Sequence, residues 1–285
     1  GGRGMKVVES SLNLSEHFTE AKNEAKNFFG DETLYVEKYL HNPRHIEIQI
    51  LCDGKGNSVF LGERDCSIQR RHQKVIEESP SPVLLPELIT ALGLSVAKSM
   101  ISFGYEGAGT VEFLFSEGKF YFIEMNTRIQ VEHSVTEEIT GIDLIREQIK
   151  IAAQEKLSFD QEDINFNGHA IECRIMAENP FTFIPNSGII SSYHPPGGPG
   201  IRVDSALYTG YKIPPYYDNL ISKLIVKSET REQCMMKLNQ ALTEYVIDGI
   251  ETNLSLHKKL IKHKDFINGD YHINWLENFI SDGWE

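Results

Sequence analysis

The sequence predicts an α+β fold with a mostly antiparallel sheet. Two long hairpins carry this prediction. The first, Arg44 to Asp65, alternates apolar and polar residues on both sides of a Gly-rich turn, and the second runs from Val111 to Asn126. The order of elements lacks the regular strand–helix alternation of a doubly wound parallel sheet. The chain has 285 residues, of which 40% are hydrophobic and 24% charged, which is enough for a large core.

The remaining elements follow from periodicity and from the positions of Gly and Pro. Helical spacing predicts a helix from Leu12 to Phe29, and Pro86 and Gly104 bound a second one. Ser134 and Glu137 have the spacing of a capping box, which predicts a helix that continues to about residue 153. Further strands are predicted at 34–40, 168–178 and 221–228, further helices at 231–246 and 253–263, and Pro/Gly-rich loops with short strands at 180–215.

Charge and cysteine content exclude several classes of protein. The formal net charge of −13 argues against a nucleic-acid-binding surface, which needs clustered positive charge. The sequence contains no apolar run of membrane-spanning length and no signal peptide, so no membrane partner is expected. The four cysteines lack zinc-site spacing and are predicted to be buried free thiols in a reducing compartment, the cytoplasm. The opening "GGRGM" resembles the middle of a loop, so we expect a piece of a longer protein.

The Val111–Asn126 hairpin carries two glutamates in a mostly apolar context. A two-residue turn at Glu117–Gly118 would put Glu112 and Glu124 on opposite faces, whereas a loop one residue longer, with Gly118 in a left-handed bulge, would pair them. We expect the second register. Facing carboxylates repel unless a cation lies between them, and Mg²⁺ or Mn²⁺ fits two carboxylates and the carbonyl of Asn126. The alternative is that one glutamate simply faces water.

Two further segments are rich in polar residues. In "NTRIQVEH", an extended chain would point Arg128, Gln130 and Glu132 the same way, which suits a small planar anion and a base. The alternative is an exposed polar strand face. The segment "GERDCSIQRRHQK", from Gly62 to Lys74, has neither the helical nor the strand periodicity of apolar residues. This predicts a loop that reaches over a ligand, or a solvated charged face. The sequence contains neither the G-x-x-x-x-G-K-S/T nor the G-x-G-x-x-G phosphate-binding pattern.

Several segments together resemble the biotin carboxylase family. They are "EKYLHNPRHIEIQI", "ERDCSIQRRHQK", "GAGTVEFLF", "FYFIEMNTRIQVEH" and "PPYYDNLISKLI". This family is the ATP-grasp component of biotin-dependent carboxylases. The longer pattern "EMNTRIQVEH-x-VTE-x-ITGIDLI" is most similar to the biotin carboxylase subunit of bacterial or plastid acetyl-CoA carboxylase. The resemblance implies that residues 1–40 are the end of the ATP-grasp lid subdomain. It also implies that residues 41–285 are the C-terminal domain, which carries the active site and the dimer surface.

The resemblance also implies an activity and its residues. Bicarbonate is activated by ATP as carboxyphosphate, and its carboxyl group passes to carrier-linked biotin, the first half-reaction of acetyl-CoA carboxylase in fatty acid synthesis. The implied metal ligands for two Mg²⁺ or Mn²⁺ ions are Glu112, Glu124 and Asn126. The other implied ATP contacts are Gly1, Gly2, Glu37, Lys38, Tyr39, Leu40, His45, Gln69, His72, Leu114 and Ile273. Lys74, Arg128, Gln130 and the Val131 amide would hold bicarbonate, Glu132 would be the general base, Arg174 would stabilise deprotonated biotin, and Asp218 would lie on the biotin side.

The sequence departs from the family pattern in several places. The N-terminal nucleotide-fold domain and the first half of the lid are absent, so we expect little or no activity from these residues alone. Ser134 stands where relatives commonly have proline, and Pro199 replaces an aromatic residue near the dimer contact, where Arg202 matches. The implied partners are a biotin carboxyl carrier protein, carboxyltransferase subunits and a second copy of the chain, in the cytoplasm or a plastid stroma. The alternatives are a non-catalytic docking fragment or another ATP-grasp ligase.

Overall fold

The computed structural model describes residues 4–283, which form one large sheet with helices on both faces. The helices are Leu14–Phe29 (α1), Pro86–Phe103 (α2), His133–Thr140 (α3), Leu144–Ala152 (α4), Arg231–Glu244 (α5), Leu254–Leu260 (α6), Lys264–Asn268 (α7) and Trp275–Ser281 (α8). The strands are Arg44–Asp53 (β1), Ser58–Arg70 (β2), Gln73–Ser79 (β3), Glu106–Ser116 (β4), Lys119–Asn126 (β5), His169–Met176 (β6), Ser192–His194 (β7), Ile201–Ser205 (β8), Leu220–Ser228 (β9) and Val246–Asp248 (β10).

The main sheet has eight strands in the order β5-β4-β1-β2-β3-β6-β9-β8, and neighbouring strands pair antiparallel. Strands β7 and β10 form a separate antiparallel pair. Both predicted hairpins are present, as β1–β2 and β4–β5. The predicted α+β class with a mostly antiparallel sheet is therefore confirmed.

The two faces of β1 differ in chemistry. Ile46, Ile48 and Ile50 are fully buried on one face and pack in a cluster with residues of α2 such as Val96. Because side chains alternate along a strand, Glu47 and Gln49 lie on the opposite face. The far end of the sheet, around β6 and β9, packs on α5 to α8 through a larger apolar cluster. One region of the sheet therefore has an apolar face under α2 and a buried polar face on the other side.

The predicted strand at residues 34–40 is wrong. This segment has no regular secondary structure, and Tyr35 and Val36 are 81% and 85% exposed. A strand needs a partner for its backbone hydrogen bonds, and no strand of residues 4–283 pairs with this segment. The β-branched and aromatic composition of residues 34–40 is therefore not sufficient to form a strand.

The predicted capping box and the single helix to residue 153 are also wrong. The chain forms two helices, because Gly141 ends α3 in the left-handed region with φ 72°. Asp143 then caps α4 by accepting a hydrogen bond from the Arg146 amide at 2.8 Å. Ser134 is buried inside the first turn of α3 and accepts a hydrogen bond from the Lys223 ammonium, while Glu137 accepts one from the Leu144 amide.

Other expectations have simple outcomes. All four cysteines are buried free thiols, as predicted. None of the helices between residues 4 and 283 combines the length and the apolar character that a bilayer crossing requires. The domain boundary after residue 40 stays a prediction. Gly1 and Gly2 lie outside the described residues.

Candidate functional site

Three glutamates stand side by side on neighbouring strands of the sheet. In the strand register Glu124 of β5 faces Glu112 of β4, which in turn faces Glu47 of β1. Like charges directly opposite each other on a sheet are destabilising unless other groups compensate them. The groups around each glutamate therefore determine whether its side chain is charged and what it can bind.

The predicted pairing of Glu112 with Glu124 is confirmed, but the predicted cause is wrong. The turn contains only two residues, Glu117 and Gly118, both with positive φ, and Ser116 pairs with Lys119 directly across it. The extra residue lies further along β5, where the register shifts between Glu112 and Phe113. A bulge inside the strand, rather than at the turn, brings the two carboxylates to the same face.

Glu112 is the buried member of the pair and accepts hydrogen bonds from several donors. His45 Nε2 and Gln130 Nε2 each lie 2.8 Å from its carboxylate oxygens, and Asn126 Nδ2 lies at 2.7 Å. Burial alone would raise the pKa of Glu112, but the His45 hydrogen bond and the charge of Lys74 lower this pKa to about 2. Glu112 is therefore held as a carboxylate.

Asn126 lies between the two glutamates. Its Nδ2 donates to Glu112 Oε1 and also lies 3.4 Å from Glu124 Oε1, while Glu124 is exposed. The two carboxylates thus converge on one point, where a positive hydrogen atom now compensates their charge. Half a turn of the amide would direct Oδ1 to the same point and complete an oxygen donor set of the kind that Mg²⁺ and Mn²⁺ prefer.

His45 connects this pair to a further predicted residue. Its Nδ1 lies 3.2 Å from Gln69 Nε2, and Gln69 in turn donates to the Cys66 carbonyl at 3.0 Å. His45 and Gln69 are both buried. The structure therefore brings together three residues of the predicted nucleotide site, with His45 between Gln69 and Glu112.

Arg64 is the buried cation beneath the site, and sequence reasoning missed it. The segment 62–74 was expected to be a loop, whereas it forms most of β2, a tight turn at Arg71–His72 and the start of β3. The Arg64 side chain is 0% exposed and donates to Glu47, Gln49, Thr110, Gln130 and Thr136. Burial alone would lower the pKa of Arg64, but the adjacent Glu47 carboxylate raises it. A charged residue can occupy a buried strand because its partners come from distant parts of the chain.

Lys74 joins three carboxylates at one point. Its Nζ lies 2.6 Å from Glu132 Oε1 and 3.4 Å from Glu112 Oε1, and it also bonds to Glu47. Burial alone would lower the pKa of Lys74, but the charge of Glu47 and the other carboxylates raises it, so the ammonium stays charged. Lys74 therefore connects the Glu112–Asn126–Glu124 group to Glu132.

Glu132 bridges two cations. Its second oxygen, Oε2, accepts a hydrogen bond from Arg174 NH2 at 2.9 Å, and Arg174 Nε donates to Glu77 Oε1 at 2.6 Å. Glu132 is 2% exposed and lies just before α3, where the chain turns sharply. A carboxylate between an ammonium and a guanidinium marks a place where a small anion could be bound and where a proton acceptor is already positioned.

The expectation that Arg128, Gln130 and Glu132 point the same way is wrong. Gln130 and Glu132 are buried in the network, but Arg128 is exposed and donates to Asn126 Oδ1 and to the Ile129 carbonyl. The chain turns at residues 131–132 instead of remaining extended, so alternation does not apply. Arg128 lies beside the carboxylate pair rather than beside Lys74.

The other predicted residues lie in diverse places. Leu114 and Ile273 are half-buried, and the Ile273 amide donates to the Pro43 carbonyl. Lys38 lies over the ring of Tyr121, with Nζ 5.4 Å from its centre. The Val131 carbonyl accepts a hydrogen bond from Lys223 Nζ at 2.8 Å. Besides Glu124 and Arg128, the exposed residues of the predicted site are Glu37, Lys38, Tyr39, His72 and Asp218.

Two family models match the chain in succession. Residues 1–159 match the model described as the carbamoyl-phosphate synthase L chain, ATP binding domain, and residues 172–278 match the biotin carboxylase C-terminal domain. The fold and the site thus define a protein of the ATP-grasp class.

Individual relatives narrow this class. The chain is 53% identical to the biotin carboxylase of Haemophilus influenzae over 97% of its own length and 62% of the relative. A crystal structure of a biotin carboxylase–ATP complex from Campylobacter jejuni is 49% identical with a TM-score of 0.94, over 98% of this chain and 62% of that one. The biotin carboxylase domain dimer of the Hydrogenobacter thermophilus 2-oxoglutarate carboxylase, crystallised with MgADP, ADP and bicarbonate, is 49% identical with a TM-score of 0.93, over the same shares of both chains. The chain belongs to the biotin carboxylase family and spans about three fifths of the length of these relatives.

Proposed function

We propose that this chain carries the catalytic centre of an ATP-dependent biotin carboxylase. The observation that supports it most is the continuous network from Glu124 and Asn126 through Glu112 and Lys74 to Glu132. One end of this network has the donors for a metal–nucleotide complex, and the other end has cations and a carboxylate. Phosphoryl transfer to bicarbonate needs these two environments next to each other.

The carboxylate pair forms the nucleotide end. Glu112, Glu124 and Asn126 would hold two Mg²⁺ or Mn²⁺ ions, which when bound neutralise phosphate charge. His45 and Gln69 lie beside Glu112 and would contact ribose or phosphates. The remaining nucleotide contacts in this proposal are Gly1, Gly2, Glu37, Lys38, Tyr39, Leu40, His72, Leu114 and Ile273.

The cations form the bicarbonate end. Lys74, Gln130 and the Val131 amide would bind the anion, Arg128 would join them once its side chain leaves Asn126 Oδ1, and Glu132 would take the proton of the anion. The phosphoryl group of ATP then passes to bicarbonate to give carboxyphosphate and ADP. As carboxyphosphate breaks down, the leaving phosphate takes the proton of a biotin ring nitrogen, and the carboxyl group bonds to that nitrogen. Arg174 stabilises the deprotonated biotin, and Asp218 lies on the biotin side.

The same proposal includes the complete carboxylase to which the chain belongs and its partner proteins. The pattern around "EMNTRIQVEH" supports the acetyl-CoA carboxylase of fatty acid synthesis, with a biotin carboxyl carrier protein and carboxyltransferase subunits as partners. A homodimer is proposed because a relative was crystallised as a dimer of this domain. Arg202, expected at the dimer contact, is half-buried and ion-paired with Glu137 and Asp204. The four buried thiols support a reducing compartment, the cytoplasm or a plastid stroma.

The test is a bicarbonate- and biotin-dependent ATPase assay on two proteins. One is the 285-residue chain, for which little or no activity is expected. The other is a chimera that adds the remaining two fifths of the Haemophilus influenzae relative. In the chimera, Glu132→Gln should lower turnover by about 100-fold or more, because the proton acceptor is lost, while nucleotide binding stays unchanged.

Glu155→Gln is the matched control, since it makes the same charge change at an exposed position. Unchanged turnover in Glu132→Gln would remove Glu132 as the base. An inactive chimera that still binds nucleotide would count against the proposed function itself. A 285-residue chain as active as the chimera would contradict the expectation of inactivity.

A further inference from the structure

A second pair of facing glutamates lies deeper in the same sheet. Glu77 of β3 is paired with Glu172 of β6 in the strand register, and both side chains are 0% exposed. Residues directly opposite each other on antiparallel strands hold their Cβ atoms about 4.5–5.5 Å apart. Two carboxyl groups are thus held side by side where water does not reach them.

Three of the four carboxyl oxygens in this pair have no hydrogen-bond partner among residues 4–283. They are Glu77 Oε2 and both oxygens of Glu172. The fourth, Glu77 Oε1, accepts the 2.6 Å hydrogen bond from Arg174 Nε. Buried polar atoms without partners are rare in proteins, so these three oxygens need an explanation.

The neighbouring charges do not neutralise two carboxylates. Lys223 Nζ lies 3.7 Å from Glu172 Oε2, but it donates to the Val131 carbonyl and to Ser134, and it lies 3.3 Å from Asp204. The other charged groups around the pair are Arg174, Lys74 and Glu132. Arg174 is shared between Glu77 and Glu132.

One proton on Glu172 would account for the charge of the pair and for two of the three oxygens without partners. It would remove the repulsion between two buried charges, and the resulting O–H could donate to Glu77 Oε2. Burial and the charge of Glu77 act in this direction and raise the pKa of Glu172 to about 8. Burial raises the pKa of Glu77 as well, against the charge of Arg174.

We propose that Glu77 and Glu172 share a single proton beneath the site, and that they act as positioning residues which hold the Arg174 guanidinium against Glu132. Glu77 is the charged member that accepts from Arg174, and Glu172 is the neutral acid that stabilises Glu77. The shared proton does not depend on the proposed function, whereas its effect on turnover rests on that function.

The direct test is thermal unfolding of this chain and of Glu172→Gln from pH 5 to pH 9. Because Glu172 binds its proton more tightly when folded, its contribution to stability is full below pH 4.5, its ordinary pKa, and is lost as the pH rises to about 8. Gln mimics the neutral acid without this loss. The melting temperature of Glu172→Gln should therefore exceed that of the wild type by a margin that grows by about 5 °C between pH 5 and pH 8.

Glu78→Gln is the matched control, at the position that follows Glu77 in β3. Glu78 is also buried, but it accepts from His169 and Arg231, and these partners lower its pKa to about 2 against the effect of burial. Glu78→Gln should therefore destabilise the chain. A Glu172→Gln variant that is destabilised to the same extent from pH 5 to pH 9 would overturn the proposal, because Glu172 would then be an ionised partner of Lys223.

A second measurement tests for the shared proton even if Glu172→Gln does not fold. The infrared spectrum of the wild-type chain, with ¹³C-labelled glutamate, should contain the band of a protonated carboxyl group at pH 7 that disappears as the pH rises above about 8. Absence of this band at pH 7 would overturn the proposal.

The positioning role has its own readout in the active chimera. Glu172→Gln should remove a decline of kcat near pH 8 that the wild type shows, whereas Glu77→Gln should lower kcat by about 100-fold with an unchanged KM for ATP. If both variants turn over like the wild type in an active chimera, the positioning role is wrong. A chimera that is inactive without any mutation would instead count against the proposed function.

Discussion

The two pairs of facing glutamates in this sheet have the same strand geometry and different chemistry. Glu112 and Glu124 lie at the edge of the sheet, where the Asn126 amide donates to both. Glu77 and Glu172 lie in the middle of the sheet, where three oxygens lack a hydrogen-bond partner within residues 4–283. The first pair is suited to an exchangeable cation because one member reaches solvent. The second, which is buried, is stabilised by the proposed proton instead.

Position in the sheet explains this difference. Around Glu112, donors and charges arrive from β1, β3 and the segment before α3, and they lower the pKa of its carboxyl group to about 2 against the effect of burial. Around Glu172, burial is the largest cause that raises the pKa, and repulsion from the neighbouring Glu77 carboxyl group adds to it, so the pKa of Glu172 rises to about 8. The same residue type is thus held as a carboxylate or as a buried acid, depending on the donors within reach.

Removal of Arg64 should have the largest effect on stability. Arg64→Met leaves Glu47 and its neighbours without their buried cation, and the expected loss in the free energy of unfolding is about 3–5 kcal/mol. Urea denaturation of the two proteins measures it. The double variant Glu47→Leu/Arg64→Met should recover part of the loss, because neither charge is then left alone. A loss below about 1 kcal/mol in the single variant would mean that the row of glutamates does not depend on Arg64.

The next largest effect is expected at Glu112. Glu112→Gln replaces an acceptor of several hydrogen bonds with a group that also donates, and it should cost about 1–3 kcal/mol near neutral pH. Because its folded pKa is lowered from 4.5 to about 2, the stability that Glu112 contributes is present above pH 4.5 and lost as the pH falls toward 2. The cost of Glu112→Gln should therefore shrink in acid.

This pH dependence has the opposite sign to that expected for Glu172. Unfolding curves measured at pH 2.5, 4 and 7 for wild type and Glu112→Gln give the comparison. If the cost of the substitution stays constant down to pH 2.5, the carboxylate of Glu112 is not held by its donors. The contrast between the two pairs would then fail.

The sequence predicted those features that depend on local pattern. The β4–β5 hairpin and α2 follow from alternation, Pro86 and Gly104, and all of these are present. The pairing of Glu112 with Glu124 was predicted correctly, but the bulge lies within β5, because an extra residue anywhere in the hairpin restores the same register. Local pattern cannot tell these positions apart.

Features that depend on distant partners were missed. Arg64 lies in a buried strand because its acceptors come from β1, β4 and the region of α3, up to 72 residues away in sequence. The segment 34–40 has strand composition but no partner strand within residues 4–283. Arg128 turns away from Glu132 because the chain bends before α3. The pairing of Glu77 with Glu172 was also not predicted from the sequence, since it exists only because β3 pairs with β6.

The most direct test of the cation site is Mn²⁺ binding to this chain in the presence of ADP, followed by electron paramagnetic resonance. Glu124→Gln and the control Glu117→Gln change the same charge in the same exposed hairpin, and each should alter stability by no more than about 0.5 kcal/mol. Glu124→Gln should weaken Mn²⁺ binding by at least about tenfold, while Glu117→Gln should leave it unchanged. Equal Mn²⁺ affinity in wild type and both variants would contradict a cation held between Glu112 and Glu124.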